Sequence, residues 1–132
     1  ELSSAAVSVG IRAISEEEAR FITASNLSVY PEWKYAESGY PWKDIAAGLS
    51  QEVYVTVDLD VFNPAEVPAV GTPEPGGLGW YDALSLFREV AASGRKVIGF
   101  DLVELCPREG DAVSPFFAAR LLYKMIGFFC PD

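Results

Sequence analysis

The sequence contains no histidine in its 132 residues. A chain without imidazole cannot build a Ser-His-Asp or Cys-His nucleophile, an HExxH zinc site or a histidine proton shuttle from its own residues. Chemistry that the chain supplies alone must therefore use carboxylates. These are abundant, because 19 Asp and Glu stand against 10 Lys and Arg, for a net charge of −9.

Basic residues, long apolar runs and cysteines are also scarce. The shortage of Lys and Arg argues against nucleic-acid binding, which depends on contacts with phosphates. The most apolar stretch, Pro115 to Cys130, is interrupted by Arg120 and Lys124, so no run reaches the ~18 residues of a membrane-spanning helix. The first residues do not resemble a secretory signal. With only Cys106 and Cys130, we expect two buried, reduced thiols in a cytoplasmic protein.

Hydrophobic periodicity predicts alternating strands and helices. Strands are predicted at 5–11, 27–30, 53–60 and 96–105, and helices at 42–47, 80–93 and from Ser114 onwards. Ser15 and Glu18 predict a capping box that opens a further helix of about ten residues. This order is typical of a parallel sheet with helices on both faces. Because the chain begins at Glu1 without Met and has few strands, we expect residues 1–132 to be part of one larger domain.

Asp58 and Asp60 end the clearest predicted strand, VYVTVDLD. Residues two apart on a strand project from one face, about 6.6 Å apart. Two anionic groups that close repel each other unless a cation lies beside them. The carboxyl ends of parallel strands are where open α/β sheets bind ligands, and carboxylate oxygens suit Mg²⁺ or Mn²⁺. The alternative is a solvated strand end without a metal.

A second acidic pair, Asp101 and Glu104, lies at the end of the next strong strand. Their offset of three residues places them on opposite faces of an ideal strand, so they share a site only if the strand ends near Asp101. A carboxylate in an apolar run is costly without a partner. An ion pair with Arg12, Arg88 or Arg95 is therefore an alternative to a functional role.

The segment between the two pairs is rich in turn residues, with four prolines and four glycines at 61–79, and predicts a stiff loop. TVDLDVFNPAEVPAVGTPEPGGL, Thr56 to Leu78, followed by GFDLVELCP at 99–107, resembles the C-terminal half of the ureohydrolases, the arginase, agmatinase and formiminoglutamase family. VGIRAISEEE at 9–18 is similar to that family's strand and helix further upstream. The tail at 103–127 is most similar to agmatinases.

The resemblance implies an arginase-like three-layer fold and a cytoplasmic enzyme of polyamine metabolism, trimeric or hexameric when complete. It implies two manganese ions that share a bridging hydroxide, which attacks the guanidino carbon of a substrate such as agmatine and releases urea. Asp58 matches the bridging ligand and Asp60 a further metal carboxylate. Glu104 matches the carboxylate that receives the guanidinium, Thr72 a substrate contact, and Asp101 a residue behind the metal ligands.

Some positions depart from the family pattern. Asn63 replaces a frequent Asp, Cys106 a frequent Asn, and Ala69 and Val70 a Gly-Thr pair. The family's metal histidine and its DxHxD segment have no counterpart here, so we expect the chain alone to be inactive. Alternatives are a non-catalytic fragment or degenerate homologue, and another ureohydrolase (arginase, formiminoglutamase or guanidinobutyrase). A DxD glycosyltransferase does not explain GTPEPGG or GFDLVE.

Overall fold

The computed structural model describes residues 6–25 and 27–130. Four strands and five α-helices lie within these ranges. In chain order the elements are β1 (Val7–Ile11), α1 (Glu16–Ser25), β2 (Ser28–Pro31), α2 (Glu32–Tyr35), α3 (Trp42–Ala47), β3 (Glu52–Asp58), a 3-10 helix (Leu59–Val61), α4 (Trp80–Ala92), β4 (Lys96–Val103) and α5 (Val113–Phe129). Residue 5, where the first predicted strand begins, lies outside the described residues.

The strands pair in parallel, as the alternation of strands and helices predicts, but within the described residues they form two separate pairs and not one sheet. β1 pairs with β2, and β3 pairs with β4. A cavity of about 590 Å³ lies between the pairs, and its lining includes Val9 and Ile11 of β1 together with Val55 and Val57 of β3. The edges of β1 and β3 that face this cavity are not hydrogen-bonded to each other.

The core lies between the second pair of strands and two helices. Val57 of β3 and Phe87 of α4 are buried there, and Phe129 of α5 packs against both Phe87 and Phe100. The opposite face of β3 carries Tyr54, whose side chain is 59% exposed. Because strand side chains alternate, Asp58 lies on this open face with Tyr54, away from the core.

Several local predictions are confirmed. The backbone N–H of Ser15 donates to the Glu18 carboxylate (2.8 Å) and the Glu18 N–H donates to Ser15 Oγ (3.2 Å), so the capping box opens α1 as expected. α3 has the predicted bounds, and Gly94, at φ 75°, follows the end of α4 in the left-handed region. The short helix α2 was not predicted.

The start of the last helix differs from the prediction. α5 begins at Val113, one residue before Ser114, because Asp111 binds its first turn. The Asp111 carboxylate accepts the N–H groups of Val113 (2.8 Å) and Ser114 (3.2 Å), and also the Ser114 hydroxyl (2.5 Å). That hydroxyl bond is the largest of the effects that lower the pKa of Asp111. The Ser114 hydroxyl does not cap the helix, and its oxygen accepts the N–H of Ala69 (3.1 Å).

The expectation of buried thiols is wrong. Cys106 and Cys130 are both free and exposed, because Cys106 lies in the loop after β4 and Cys130 follows the end of α5. Among residues 6–25 and 27–130, the structure contains no helix of the length and apolarity needed to cross a membrane.

Replacing Ser114 with Ala is expected to destabilise the protein by about 1–3 kcal/mol, because it leaves the N–H of the fully buried Ala69 without an acceptor. Urea unfolding followed by circular dichroism measures this loss. Ser85→Ala is the matched control, since the Ser85 hydroxyl binds only the carbonyl of Tyr81 in its own helix. Equal free energies of unfolding for the two variants would contradict the assignment.

Candidate functional site

The acidic pair after β3 is built by a turn. β3 ends at Asp58, two residues earlier than predicted, because Asp58 Oδ1 accepts the N–H of Asp60 (3.0 Å) and starts the 3-10 helix. The expectation that both residues stand on one strand is therefore wrong. The turn nevertheless keeps Asp58 and Asp60 close together, because the backbone N–H of Asp60 is hydrogen-bonded to the carboxylate of Asp58.

The two carboxylates each keep one oxygen atom open. Asp60 Oδ2 accepts the hydroxyl proton of Thr72 (2.9 Å) and Asp58 Oδ1 is occupied by the N–H of Asp60. Among the described residues, no donor is hydrogen-bonded to Asp58 Oδ2 or Asp60 Oδ1. Both residues are only partly buried and line the cavity between β1 and β3, together with Thr72.

The negative charges of the acidic side chains at this site repel one another. Burial raises the pKa of Asp58, and the negative charges of Asp60 and Glu104 raise it further, against the lowering effect of the hydrogen bond from the Asp60 N–H. The three acidic groups therefore share one electrostatic environment. A cation placed among them would relieve this repulsion.

These donors fit a divalent cation that prefers oxygen, such as Mg²⁺ or Mn²⁺, but they form an incomplete set of ligands. Within the part of the chain that the structure describes, no group of three or more His, Cys, Asp or Glu residues is arranged to hold a metal ion. Asp58 and Asp60 can supply carboxylate ligands, and a complete site would need further ligands beyond these two.

Glu104 reaches the same region from β4. The strand ends at Val103, two residues before its predicted end, and Glu104 adopts φ 66°. It is the one non-glycine residue of the described ranges with positive φ. Glu104 Oε2 lies 3.8 Å from the position that a Cβ atom on Gly71 would take, so its exposed carboxylate lies next to the loop that carries Thr72.

Asp101 occupies a neighbouring position on the open face of the sheet. Its carboxylate accepts the hydroxyl of Thr56 (2.6 Å) and the hydroxyl of Tyr54 (3.0 Å), and the second bond is the main reason that the pKa of Tyr54 is raised. Thr56 pairs with Asp101 in register, and Asp58 pairs with Val103 two residue pairs further along. Asp101 thus lies two residue pairs behind Asp58.

The alternative in which arginines neutralise Asp101 and Glu104 does not match the structure. Arg12 donates to the carbonyls of Glu74 (2.7 Å) and Gly76 (3.2 Å), and Arg95 donates to carbonyls at the end of α3 and after it. The ion pairs in residues 6–25 and 27–130 are Arg20–Glu16 and Lys96–Glu52, neither of which involves the site.

The Pro/Gly-rich segment forms a closed loop. The N–H of Leu78 donates to the carbonyl of Val61 (2.9 Å) and the N–H of Asn63 donates to the carbonyl of Leu78 (3.0 Å), so the two ends are bridged. Asn63 also accepts the N–H of Ala65 through its side chain (2.9 Å). This is an Asx turn, a role that an Asp at this position also serves.

Two glycines permit close contacts around this loop. A Cβ atom on Gly77, at φ 102°, would lie 2.6 Å from Arg12 Nη1, and one on Gly10, at φ 79°, would lie 2.4 Å from the side chain of Val61. Sequence reasoning missed Arg12 and Ser114 as supports of the loop. Their partners are backbone groups far along the chain, which no local pattern reveals.

Comparison with known proteins gives consistent matches. A sequence model of the family described as "Arginase family" matches residues 2–127. An N(1)-aminopropylagmatine ureohydrolase of Synechocystis is 44% identical over 131 residues, which are 97% of this chain and 42% of that protein. An agmatinase of Pyrococcus horikoshii is 37% identical over 121 residues, 89% of this chain and 41% of that protein. The chain spans about two-fifths of the length of these curated relatives.

Solved structures show the same fold. The arginase from Bacillus caldovelox superposes with a TM-score of 0.83 over 95% of this chain and 44% of that one, at 23% sequence identity. This likeness confirms the expected arginase-like α/β fold with parallel strands and helices, of which the chain corresponds to a C-terminal portion.

Replacing Glu104 with Gly is expected to relieve backbone strain, because an L-residue in the left-handed region costs roughly 1 kcal/mol. We expect Glu104→Gly to be more stable than Glu104→Ala, which removes the same carboxylate and keeps the strain. Glu109→Gly and Glu109→Ala form the control pair, since φ at Glu109 is not positive, and there the Gly variant should be the less stable. Urea unfolding measures the stability of all four variants. If the Gly and Ala variants rank in the same order of stability at positions 104 and 109, backbone strain at Glu104 is contradicted.

Proposed function

The chain belongs to the arginase family, and from this premise we propose that the complete protein is a ureohydrolase that cleaves a guanidino substrate and releases urea. This chain would supply the C-terminal share of the active site. The observation that carries the proposal is the convergence of Asp58, Asp60 and Glu104 at the carboxyl ends of two neighbouring parallel strands, where α/β sheets bind their ligands.

Asp58 and Asp60 are proposed as ligands of two manganese ions, with Asp58 shared between the ions. Their open oxygen atoms, Asp58 Oδ2 and Asp60 Oδ1, are the available donors. When bound, such a metal pair supplies Lewis-acid activation of water at neutral pH. The chain's own contribution is to hold both carboxylates in place before any ion binds, through the turn at Asp60 and the hydroxyl of Thr72.

Glu104 is proposed to receive the guanidinium of the substrate. A carboxylate and a guanidinium form two parallel charge-assisted hydrogen bonds, which set the orientation of the planar group. Thr72 is a proposed substrate contact; its proton is donated to Asp60, so its oxygen can only accept from a substrate N–H. Asp101 is proposed to support the metal ligands without binding a metal itself, since the hydroxyl groups of Thr56 and Tyr54 already bind its carboxylate.

The remaining metal ligands are proposed to come from polypeptide outside this sequence, so that the 132-residue chain alone releases no urea. Three observations support this: no histidine is present, residues 6–25 and 27–130 contain no group of three or more His, Cys, Asp or Glu arranged to hold a metal ion, and the chain spans about two-fifths of its relatives. The cavity between β1 and β3 supports it as well. Its apolar lining and the unpaired strand edges on both sides suit a further parallel strand.

The substrate is proposed to be a linear amine with a terminal guanidino group, with agmatine or N(1)-aminopropylagmatine as the leading candidates. The relatives at 44% and 37% identity carry the names of these activities. A net charge of −9 suits a cationic substrate. We further propose a cytoplasmic homo-oligomer, a trimer or hexamer. Phe116 and Tyr123, 69% and 65% exposed on α5, support apolar contact with further polypeptide.

The complete reading frame, purified with Mn²⁺, is expected to release urea from agmatine or N(1)-aminopropylagmatine in a colorimetric assay. Asp58→Asn should lower this activity by more than about 100-fold, because it removes a ligand of both ions. Asp44→Asn, at an exposed position of α3, is the matched control and should stay active. A complete protein that hydrolyses no guanidino compound with manganese present would refute the enzymatic proposal and favour a non-catalytic homologue.

Replacing Glu104 with Gln in the complete protein is expected to lower kcat/KM about 10- to 150-fold, the loss of a charge-assisted hydrogen bond worth about 1.5–3 kcal/mol. Manganese content, measured by atomic emission, should not change, because Glu104 is proposed to bind substrate and not metal. Glu109→Gln is the control on the same loop. A normal kcat/KM in Glu104→Gln, or a loss of manganese, would contradict the proposed role.

A further inference from the structure

Thr72 makes the one side-chain hydrogen bond to the Asp60 carboxylate in the described part of the chain. Its hydroxyl donates to Asp60 Oδ2 at 2.9 Å. The two residues are twelve positions apart and lie on different segments: Asp60 in the 3-10 helix after β3, and Thr72 in the closed loop that follows. The bond is therefore tertiary and depends on where the loop holds Thr72.

The loop that carries Thr72 is held from the side of β4 and α5. The N–H of Ala69 donates to Ser114 Oγ (3.1 Å), and the carbonyl of Ala69 accepts the N–H of Cys106 (2.9 Å). Arg108 Nη2 donates to the carbonyl of Val70 (3.0 Å). Ala69 and Val70 are themselves buried. Two residues before Thr72, the backbone is thus fixed by buried contacts.

The same loop is held on its other side by Arg12. Its guanidinium donates to the carbonyl of Glu74 at 2.7 Å, two residues after Thr72. Thr72 is exposed, yet its backbone lies between two anchored segments. The position of its hydroxyl is therefore set by the fold, and not by the threonine side chain alone.

Two hydrogen bonds hold Asp60 in place. Its N–H is bound to Asp58 Oδ1 and its Oδ2 atom to Thr72. Rotation of the carboxylate would break the second bond. One oxygen of Asp60 is directed by Thr72, and the other, Oδ1, is left without a donor among the described residues.

We propose that Thr72 is a positioning residue for a metal ligand: its hydroxyl orients the Asp60 carboxylate so that Oδ1 is presented to a divalent cation. This inference rests on the proposed function, in which Asp60 binds manganese. Residues that hydrogen-bond to metal ligands contribute about 10- to 100-fold to metal affinity. Because its proton is committed to Asp60, the effect of Thr72 on metal binding should exceed its effect on substrate binding.

The test uses the complete protein and compares Thr72→Val, Thr72→Ala and Thr72→Ser. Calorimetric titration of the metal-free protein with Mn²⁺ measures the dissociation constant of each ion. Thr72→Val, which keeps the shape and removes the hydroxyl, is expected to weaken one manganese site about 10- to 100-fold, and Thr72→Ala should do the same. Thr72→Ser restores the donor and should bind within about threefold of the wild type. At saturating manganese, any rise in KM for the guanidino substrate should be smaller than the loss of manganese affinity.

The matched control is Thr23→Val, in which the hydroxyl that is removed binds only the carbonyl of Ala19 in α1 (2.9 Å). It should leave both manganese dissociation constants unchanged. A Thr72→Val protein with wild-type manganese affinity and a raised KM would overturn this inference alone and show that Thr72 acts on the substrate. A wild-type protein that binds no manganese would overturn the proposed function together with it, so the two failures are distinguishable.

Discussion

The backbone pairing of Phe62 with Leu78 is the constraint on which the site depends. By closing the loop, it returns the chain to β3 and leaves Gly71 and Thr72 beside the acidic turn. Residues 68–77 of the loop make no backbone hydrogen bond to one another, and the three prolines among them have no N–H to donate. Its shape is therefore set from outside, by the Arg12 guanidinium on one side and the buried Ser114 hydroxyl on the other.

The carboxylates at this site are arranged at a cost to the folded state. Burial and neighbouring negative charge raise the pKa of Asp58, which means that its charged form is disfavoured where it stands. Glu104 adds a left-handed backbone conformation, which is unfavourable for a residue with a side chain. Neither feature stabilises the chain. A cation beside Asp58 would favour its charged form, since an opposite charge reverses the sign of the repulsion. The left-handed conformation of Glu104 is the kind of backbone strain that is found at functional sites.

The sequence predicts the parts of this structure that depend on local signals. Ser15 and Glu18 cap α1 and Gly94 follows the end of α4, because each effect lies within four residues of its cause. The ends of β3 and β4 could not be predicted. They depend on a side-chain bond within the Asp58 turn and on the conformation of Glu104, and an alternating pattern continues through both. The roles assigned to Asp58, Asp60 and Glu104 came from the family resemblance, and the supports from Arg12 and Ser114 were found only in three dimensions.

The proposed function requires that Asp58 and Asp60 together bind divalent metal. Anomalous X-ray diffraction at the manganese absorption edge, from crystals of the complete protein grown with Mn²⁺, tests it most directly. We expect strong anomalous peaks within bonding distance of Asp58 Oδ2 and Asp60 Oδ1, with Thr72 still bound to Oδ2 of Asp60. Carboxylates that are bonded only to protein groups or water, with the manganese located elsewhere, would contradict it.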